Sequence, residues 1–555
     1  MGTKDVRVNI IGAGLAGLAA AIRLSQLGVQ SRLVSVQPSE RAQSNLAEGG
    51  INACLDLMGE EDTVEEHIKD TLRGGCFLAD EAMVEGLCKE APEIIRELSG
   101  YGVAFARENG RLIQRNFGGQ KKKRTAFVKS STGKVIMASM IKEVRKHERN
   151  GMVQRLFHHE YTGLITDKTR DAKAGDPGSY MVKCRGVYIR DTYDSSLSAL
   201  YGPVIIATGG MNGVFEAMTT GTYANTGEVS ADLFMRGVRL ANLEFIQYHP
   251  TTVSISGKRM LISEAARGEG GRLFYYGDNE EKIYFLEDEF GEGGNLMPRD
   301  VISKKMDMCG KQVYLDLTQI DGDKWNKRLS DLRREIMYYL STDPVKEPVP
   351  VSPGIHFFMG GIKVGRDHMT NIRGLYAAGE CSCAYHGANR LGGNSLLGAI
   401  YGGKVAAASA AAIYKDEYIG ADDTRKDADD FSDERMKAYL KEPGDKDMEL
   451  RARMRKLLAS ALSVVRKEAE IEAAIRQTDS LLKEAEDSGA CIRTLSLLML
   501  SKAMLVSAYG RKESRGAHNL AEYPKQAEEY GKNSIVAIGD GKIRLSYEYP
   551  GEYCE

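Results

Sequence analysis

No two cysteines in this 555-residue chain are spaced C-x-x-C; the nine are scattered, and Cys381-Ser-Cys383 is the only close pair. That excludes a zinc or iron–sulfur site built from clustered thiolates and fits a reducing compartment. Net charge is also nearly absent. Against 77 Asp and Glu stand 75 Lys and Arg, leaving −2 with the signs mixed along the chain. Neither nucleic acid nor an anionic membrane surface is indicated as a partner. No stretch reads as a membrane span: Leu396–Tyr414 is rich in Ala and Gly, but Lys404 and the small residues fit a helix packed on a cofactor or sheet. The apolar start is too short for a signal peptide, and there are no internal repeats or low-complexity linkers.

What is present begins with glycine. Val6, Val8, Ile10 and Ile11 read as a buried strand, and Gly12-Ala13-Gly14-Leu15-Ala16-Gly17 is G-x-G-x-x-G opening an alanine-rich helix to Leu27. Gly12 permits the tight turn, Gly14 lets backbone approach a pyrophosphate, and Gly17 lets helix pack on strand. A second strand, Ser31 to Val36, follows at βαβ distance. Its end carries Ser35 and Gln37 in place of the acid that would hold a nicotinamide ribose, which argues against NAD. Pro203–Gly210 (PVIIATGG) reads as another apolar strand breaking into a turn.

The segment Gly374–Leu397, GLYAAGECSCAYHGANRLGGNSLL, sets Glu380, His386, Asn389, Arg390 and Ser395 among glycines. Core packing does not need that combination; an anion site closed over a cofactor does. At this length the chain holds three or four domains, or one large domain with insertions. The alternation of strands and helices predicts a first part at 1–245, with a charged hairpin near Asp167–Asp191. Residues 246–350 are Gly-rich with short strands such as Gln312–Leu317, and 351–421 return to βα alternation and rejoin the first part. A helical region follows over 422–530, with an amphipathic run at Glu449–Lys467, and 531–555 is left as a tail.

The motifs in order are VNIIGAGLAG, AEGG (Ala47–Gly50), FGG (Phe117–Gly119), QYHPT (Gln247–Thr251), SEAARGEGG (Ser263–Gly271), PRDV (Pro298–Val301), HFFMGGI (His356–Ile362), AAGE (Ala377–Glu380), HGANRLGGNSLL (His386–Leu397) and RKESRGAH (Arg511–His518). Across nearly its whole length the chain resembles the flavoprotein subunits of the succinate dehydrogenase/fumarate reductase family, with L-aspartate oxidase a near relative. The resemblance implies an α/β fold: a Rossmann-like FAD-binding domain interrupted by an α+β capping domain and followed by a C-terminal helical domain. It implies an FAD-dependent oxidoreductase acting on CH–CH bonds, moving a hydride between flavin N5 and one alkene carbon and a proton at the other.

Residue by residue, the resemblance implies His249, Ser263, His356 and Arg390 as dicarboxylate ligands, Arg299 as proton donor, and Glu264 and Arg267 as its relay. An arginine, effectively always protonated, serves as an acid only with such a relay; a purely structural ion-pair network of the three is the alternative. FAD contacts carry over as Gly12, Ala13, Gly14, Gly17, Gln37, Ser44, Asn45, Leu46, Ala47, Glu48, Gly49, Gly50, Thr208, Glu228, Glu380, Ser395 and Leu396. No metal ligand is implied. Glu228 stands where the family has Asp. Gln43 stands where respiratory members carry the histidine that bonds flavin covalently, so the resemblance implies dissociable FAD and favours alkene reduction.

Three readings stay open at this stage: a fumarate reductase/succinate dehydrogenase flavoprotein, an L-aspartate oxidase, and a reductase of another 2-enoate. The first implies fumarate and succinate as ligands, a separate iron–sulfur electron-transfer subunit and a membrane-anchor subunit, with the chain cytoplasmic or peripheral on the cytoplasmic membrane through those partners.

Overall fold

The computed structural model describes residues 5–129, 131–170, 180–419 and 434–553. Val8–Ile11 (VNII), Val204–Ile206 (VII) and Leu375–Ala377 (LYA) are short runs buried along their whole length. Runs apolar on both faces build parallel sheets covered on both sides. With Ser31–Ser35 and Val153–Phe157 they form a five-stranded sheet whose neighbours all pair in parallel. Its order is Leu375–Ala377, Val204–Ile206, Val8–Ile11, Ser31–Ser35, Val153–Phe157. Strands on either side of the insertion, Val8–Ile11 to Val204–Ile206 before it and Leu375–Ala377 after it, therefore share one sheet.

The fingerprint helix, Leu15–Gln26, packs on a second helix rich in small residues, Asn394–Tyr414. Glycine permits this approach: a Cβ on Gly403 would lie 2.3 Å from the Ala16 carbonyl oxygen. Asn394–Ile419 and Ile492–Gly510 are long and apolar enough to cross a membrane by length and composition, yet 50% and 61% of their apolar windows are buried inside the protein.

The insertion builds a six-stranded antiparallel sheet around Ile246–Ile255, Val349–Phe358 and Val313–Asp316. It has a core of its own, including Ile262, Leu273, Ile302, Leu315, Trp325 and Ile336. The expected boundary at 350 falls inside the strand Val349–Phe358. Pro348, Pro350 and Pro353 suggest a break there, but a strand tolerates proline where the ladder needs no N–H.

The expected tail, 531–555, contains a hairpin of Asn533–Gly539 and Lys542–Glu548 that adds to the strand Leu240–Ala241. Its turn is Asp540-Gly541, both at positive φ (51° and 71°), the combination a tight hairpin turn requires. The helical layer comprises Glu434–Tyr439, Asp445–Ala461, Glu468–Asp487 and Ile492–Gly510. The expected helical start at Asp422, and the chain end Cys554-Glu555, lie outside the described residues. The run Glu449–Lys467 is interrupted, its helix ending at Ala461.

Candidate active site

The carboxyl ends of the parallel strands open on a cavity of about 490 Å³, the place where open α/β sheets take ligands. Sheet order maps its wall: Glu380 follows Leu375–Ala377, Thr208 follows Val204–Ile206, Gly12 follows Val8–Ile11, and Gln37 follows Ser31–Ser35. The loop Ala42–Gly50 closes one side, and Gly393, Ser395 and Leu396, where the helix Asn394–Tyr414 begins, reach in from another.

Each fingerprint glycine has a distinct steric reason. A Cβ on Gly12 (φ +114°) would lie 2.2 Å from the Ala207 oxygen, and one on Gly17 would lie 2.0 Å from the Gly12 oxygen. Those two serve backbone packing, and Gly17 does not line the cavity. Gly14 does line it, and its Cβ would meet nothing nearer than Ser44 Oγ at 3.6 Å.

At the capping sheet, charge concentrates. Arg299 opens the helix Arg299–Met308 directly after Pro298; a cation there opposes the helix dipole and needs compensation. Glu264 supplies it: Arg299 donates to Glu264 Oε2 from Nη2 at 2.7 Å and from Nε at 2.9 Å. The Gly118 N–H donates to the other oxygen at 2.7 Å, and a Cβ on Gly118 would lie only 2.5 Å from that oxygen, which explains the FGG motif. Arg267 stands behind, 3.4 Å from Glu264 Oε1 and donating to the Asn295 carbonyl; it does not line the cavity. Burial alone would lift the Glu264 pKa, but Arg299 and Arg267 outweigh it and hold the carboxyl below its ordinary value.

Gln247 joins this cluster to Arg390. Its Oε1 accepts from Arg299 Nη1 at 3.0 Å and from Arg390 Nη2 at 3.1 Å. Its Nε2 donates to Asn389 Oδ1 at 2.7 Å and to the Arg390 carbonyl at 2.8 Å, and Asn389 in turn donates to Asp300 Oδ1 at 2.8 Å. Arg390 is 3% exposed, and its Cζ lies 4.3 Å from the Phe357 ring centroid. Among the described residues no carboxylate pairs with it, and its buried Nε has no hydrogen-bond partner. Burial and the neighbouring Arg299 charge push its pKa well below the ordinary arginine value. A buried cation without a countercharge is costly and marks a place for an anion.

His249 and His356 sit on paired strands, their ring centroids 5.2 Å apart. The ladder slips between His249 and Thr252, where Pro250 cannot donate. The Thr251 N–H donates to His249 Nδ1 at 3.3 Å, which leaves Nε2 carrying the hydrogen; Thr220 Oγ1 meets His356 Nδ1 at 2.9 Å. Burial, reinforced by Arg299, pushes both histidines well below 6.5, so both are neutral. Ser263 lines the same region, next to Glu264.

On the remaining expected contacts, Ala13, Gln37, Ser44, Leu46, Ala47, Glu48, Gly49, Gly50, Thr208, Glu228, Glu380, Ser395 and Leu396 all line the cavity. Asn45 does not: its amide donates to the Ser39 and Ala42 carbonyls and braces the loop instead. Leu46 is 56% exposed at the rim. Gln43 lines the wall with its Oε1 accepting from the Thr222 N–H at 2.6 Å. Glu228 is held by two arginines, Arg451 and Arg493. Burial raises Glu380 to about 7 and Glu48 to about 8. His386 lies outside the cavity wall, its ring edge-on to Phe357 at 5.2 Å.

Sequence reasoning missed Gln247, Phe117, Phe357, Tyr439 and Arg493. Gln247, Phe117 and Phe357 lie inside the motifs QYHPT, FGG and HFFMGGI, and Gln247, two residues from His249 on one strand, faces the same side.

A family model described as FAD binding domain matches residues 7–396, and one described as fumarate reductase flavoprotein C-term matches residues 451–550. The succinate dehydrogenase flavoprotein subunit of Bacillus subtilis is 33% identical, over 96% of this chain and 93% of its own length. The 8-methylmenaquinol:fumarate reductase flavoprotein subunit of Wolinella succinogenes is 31% identical, over 99% and 91%. A solved E. coli quinol fumarate reductase flavoprotein superposes with a TM-score of 0.83 at 27% identity, covering 99% of this chain and 97% of that one.

The cavity fits FAD on its own features. Gly14 leaves a cradle at a helix N-terminus, where phosphate is favoured, and the buried Glu48 Oε2 and Arg390 Nε have no hydrogen-bond partner among the described residues. Gly12–Leu15 would hold the pyrophosphate, and Thr208, Glu380, Ser395 and Leu396 would border the flavin.

Proposed function

The chain belongs to the flavoprotein family of succinate dehydrogenases and fumarate reductases, and we propose on that premise that it interconverts fumarate and succinate, reduction being the favoured direction. The observation that carries this reading is Arg390, a buried guanidinium that pairs with no carboxylate among the described residues and shares the Gln247 oxygen with Arg299. Arg299, Arg390 and Arg267 face a single ion-paired carboxylate, Glu264, and a dianion would balance them.

FAD, when bound, supplies the hydride. Arg390, with His249 and His356 as neutral N–H donors and Ser263 as a hydroxyl, holds the two carboxylates and fixes the alkene plane. Because both histidines are neutral, they orient the substrate without adding charge, and the guanidinium groups stabilise the negative charge that develops as the alkene is reduced. Arg299 delivers a proton from its guanidinium to the alkene carbon and regains it through Glu264, with Arg267 behind. The same network could serve as a brace alone; the twofold contact from Arg299 to one Glu264 oxygen favours the relay because it keeps the donor aimed between turnovers.

Gln43 offers no nucleophile for a flavin bond, and FAD is held non-covalently. Electrons reach this chain from a separate iron–sulfur subunit, which would also be its link to any membrane anchor. The test is anaerobic oxidation of reduced viologen by the FAD-loaded chain with fumarate, run beside L-aspartate oxidation. Fumarate-dependent turnover is expected; aspartate oxidation without it would overturn the assignment.

A further inference from the structure

Beyond Gln37, the cavity wall is made largely of residues that the Gly12–Gly17 fingerprint does not reach. Sheet order places Val153–Phe157 at the edge past Ser31–Ser35, and the chain continues from it through His159, Glu160 and Tyr161, which line the cavity. Also in the wall are Glu228, at the start of the helix Glu228–Met235, Tyr439, at the end of Glu434–Tyr439, and Arg493, in the first turn of Ile492–Gly510. Tyr439 and Arg493 belong to the C-terminal helical layer.

Arg493 ties this wall together. Its Nη2 and Nε donate to Glu228 Oε2 at 2.7 and 2.9 Å. The same Nη2 lies 3.6 Å from Glu160 Oε2, and its Cζ lies 5.1 Å from the Tyr439 ring centroid. The other Glu228 oxygen accepts from Arg451 Nη1 at 2.8 Å, and Arg451 is on the helix Asp445–Ala461. One glutamate thus holds two helices of the layer against the cavity.

In a βαβ fingerprint the pyrophosphate sits at the helix N-terminus and the adjoining ribose near the end of the second strand. The wall past Gln37 is therefore the adenosine end, opposite the Arg299–Arg390 cluster beside Glu380. An aromatic ring and a planar guanidinium take a purine face, and carboxylates accept from ribose hydroxyls. We propose that Tyr439 and Arg493 bind the adenosine half of the dinucleotide, so that adenosine binding and docking of the helical layer onto Glu228 are linked. This rests on the FAD reading above. Linkage is reciprocal: what closes the layer on the nucleotide also makes the nucleotide hold the layer.

Hydrogen exchange on the full-length, cofactor-free chain tests this with FAD, ADP and FMN as separate probes. FAD and ADP are expected to slow exchange in Glu434–Tyr439 and Ile492–Gly510, and FMN to leave both helices unchanged. Arg493→Ala should weaken FAD and ADP binding by at least about tenfold, as a charged hydrogen bond and a stacked group are lost together. Should that variant fail to fold, the wild-type exchange comparison still decides. FAD binding without protection of either helix would overturn the inference, as would equal protection by FMN or unchanged affinity in a folded Arg493→Ala chain. No FAD binding by the wild type would overturn the FAD reading and this inference with it, an outcome distinct from the other three.

Discussion

Arg299 contacts Glu264 through two nitrogens on one carboxylate oxygen, Nη2 at 2.7 Å and Nε at 2.9 Å from Oε2. The oxygen left over takes the Gly118 N–H, so the carboxylate cannot swing away. If this pair moves protons, Glu264→Gln keeps the shape and removes the carrier. The expected result is a loss of about 10²–10⁴ in kcat, the usual worth of general acid–base catalysis, with little change in fumarate binding. A brace without a proton role predicts a loss of less than about tenfold, and steady-state kinetics on the FAD-loaded variant separates the two.

Gln247 presents one carbonyl oxygen to Arg299 and Arg390 together. Gln247→Leu removes the shared acceptor at similar volume, freeing Arg299 Nη1 and Arg390 Nη2 while Glu264 still holds Arg299. Both parameters should move, KM for fumarate up and kcat down, each by about tenfold, equivalent to about 1.4 kcal/mol per effect. Unchanged values for both would show that the two arginines are positioned by other contacts.

With Gln43 where a flavin-bonding histidine would stand, acid or heat denaturation should release all the flavin. A denaturing gel viewed by fluorescence should show no flavin at the 61.0 kDa chain. A fluorescent band there would contradict non-covalent binding.

Stability of the FAD-free chain should depend on pH with a definite sign. His249, His356 and His518 are pushed well below 6.5 by burial, and His67, His368 and His386 to about 3, 4 and 3. Unfolded, these six groups take up protons near 6.5 that the folded chain refuses, so they make stability rise with pH from about 5 to 7. Asp300, Glu380 and Glu48, raised by burial to about 6, 7 and 8, act the other way. They hold protons when folded that the unfolded chain releases near 4, so their contribution falls as pH rises through those values. The histidines dominate until their effect fades, and thermal unfolding should show a maximum near about pH 7. A midpoint rising steadily as pH is lowered from 7 to 5 would contradict this balance.

Local features of the sequence carried far. Gly12, Gly14 and Gly17 declare a strand, a turn and a helix within ten residues, because their steric reasons involve near neighbours or a strand that another motif marks. His249, Ser263, Glu264, Arg299, His356 and Arg390 were legible one motif at a time. Their convergence was not, since it depends on the insertion's sheet folding back over the parallel one. The place of Gln247 beside His249 was legible, but its role in joining Arg299 to Arg390 was not, because those partners lie 52 and 143 residues away. Asn45 was misplaced by position alone: it sits within a cavity-lining loop but turns its amide to the backbone. The hairpin after Asn533 was readable in its Asp540-Gly541 turn, but not its pairing with Leu240–Ala241. Glu228 read as a cofactor contact; that it also anchors Arg451 and Arg493 needed the fold.

The most direct test of the account is anaerobic stopped-flow reoxidation of the reduced, FAD-loaded chain by fumarate, comparing wild type with Arg299→Ala. The account predicts rapid reoxidation in the wild type and a rate at least about 10³-fold lower in the variant, with FAD still bound in both. A wild type that fumarate does not reoxidise, or a variant that keeps the wild-type rate, would contradict it.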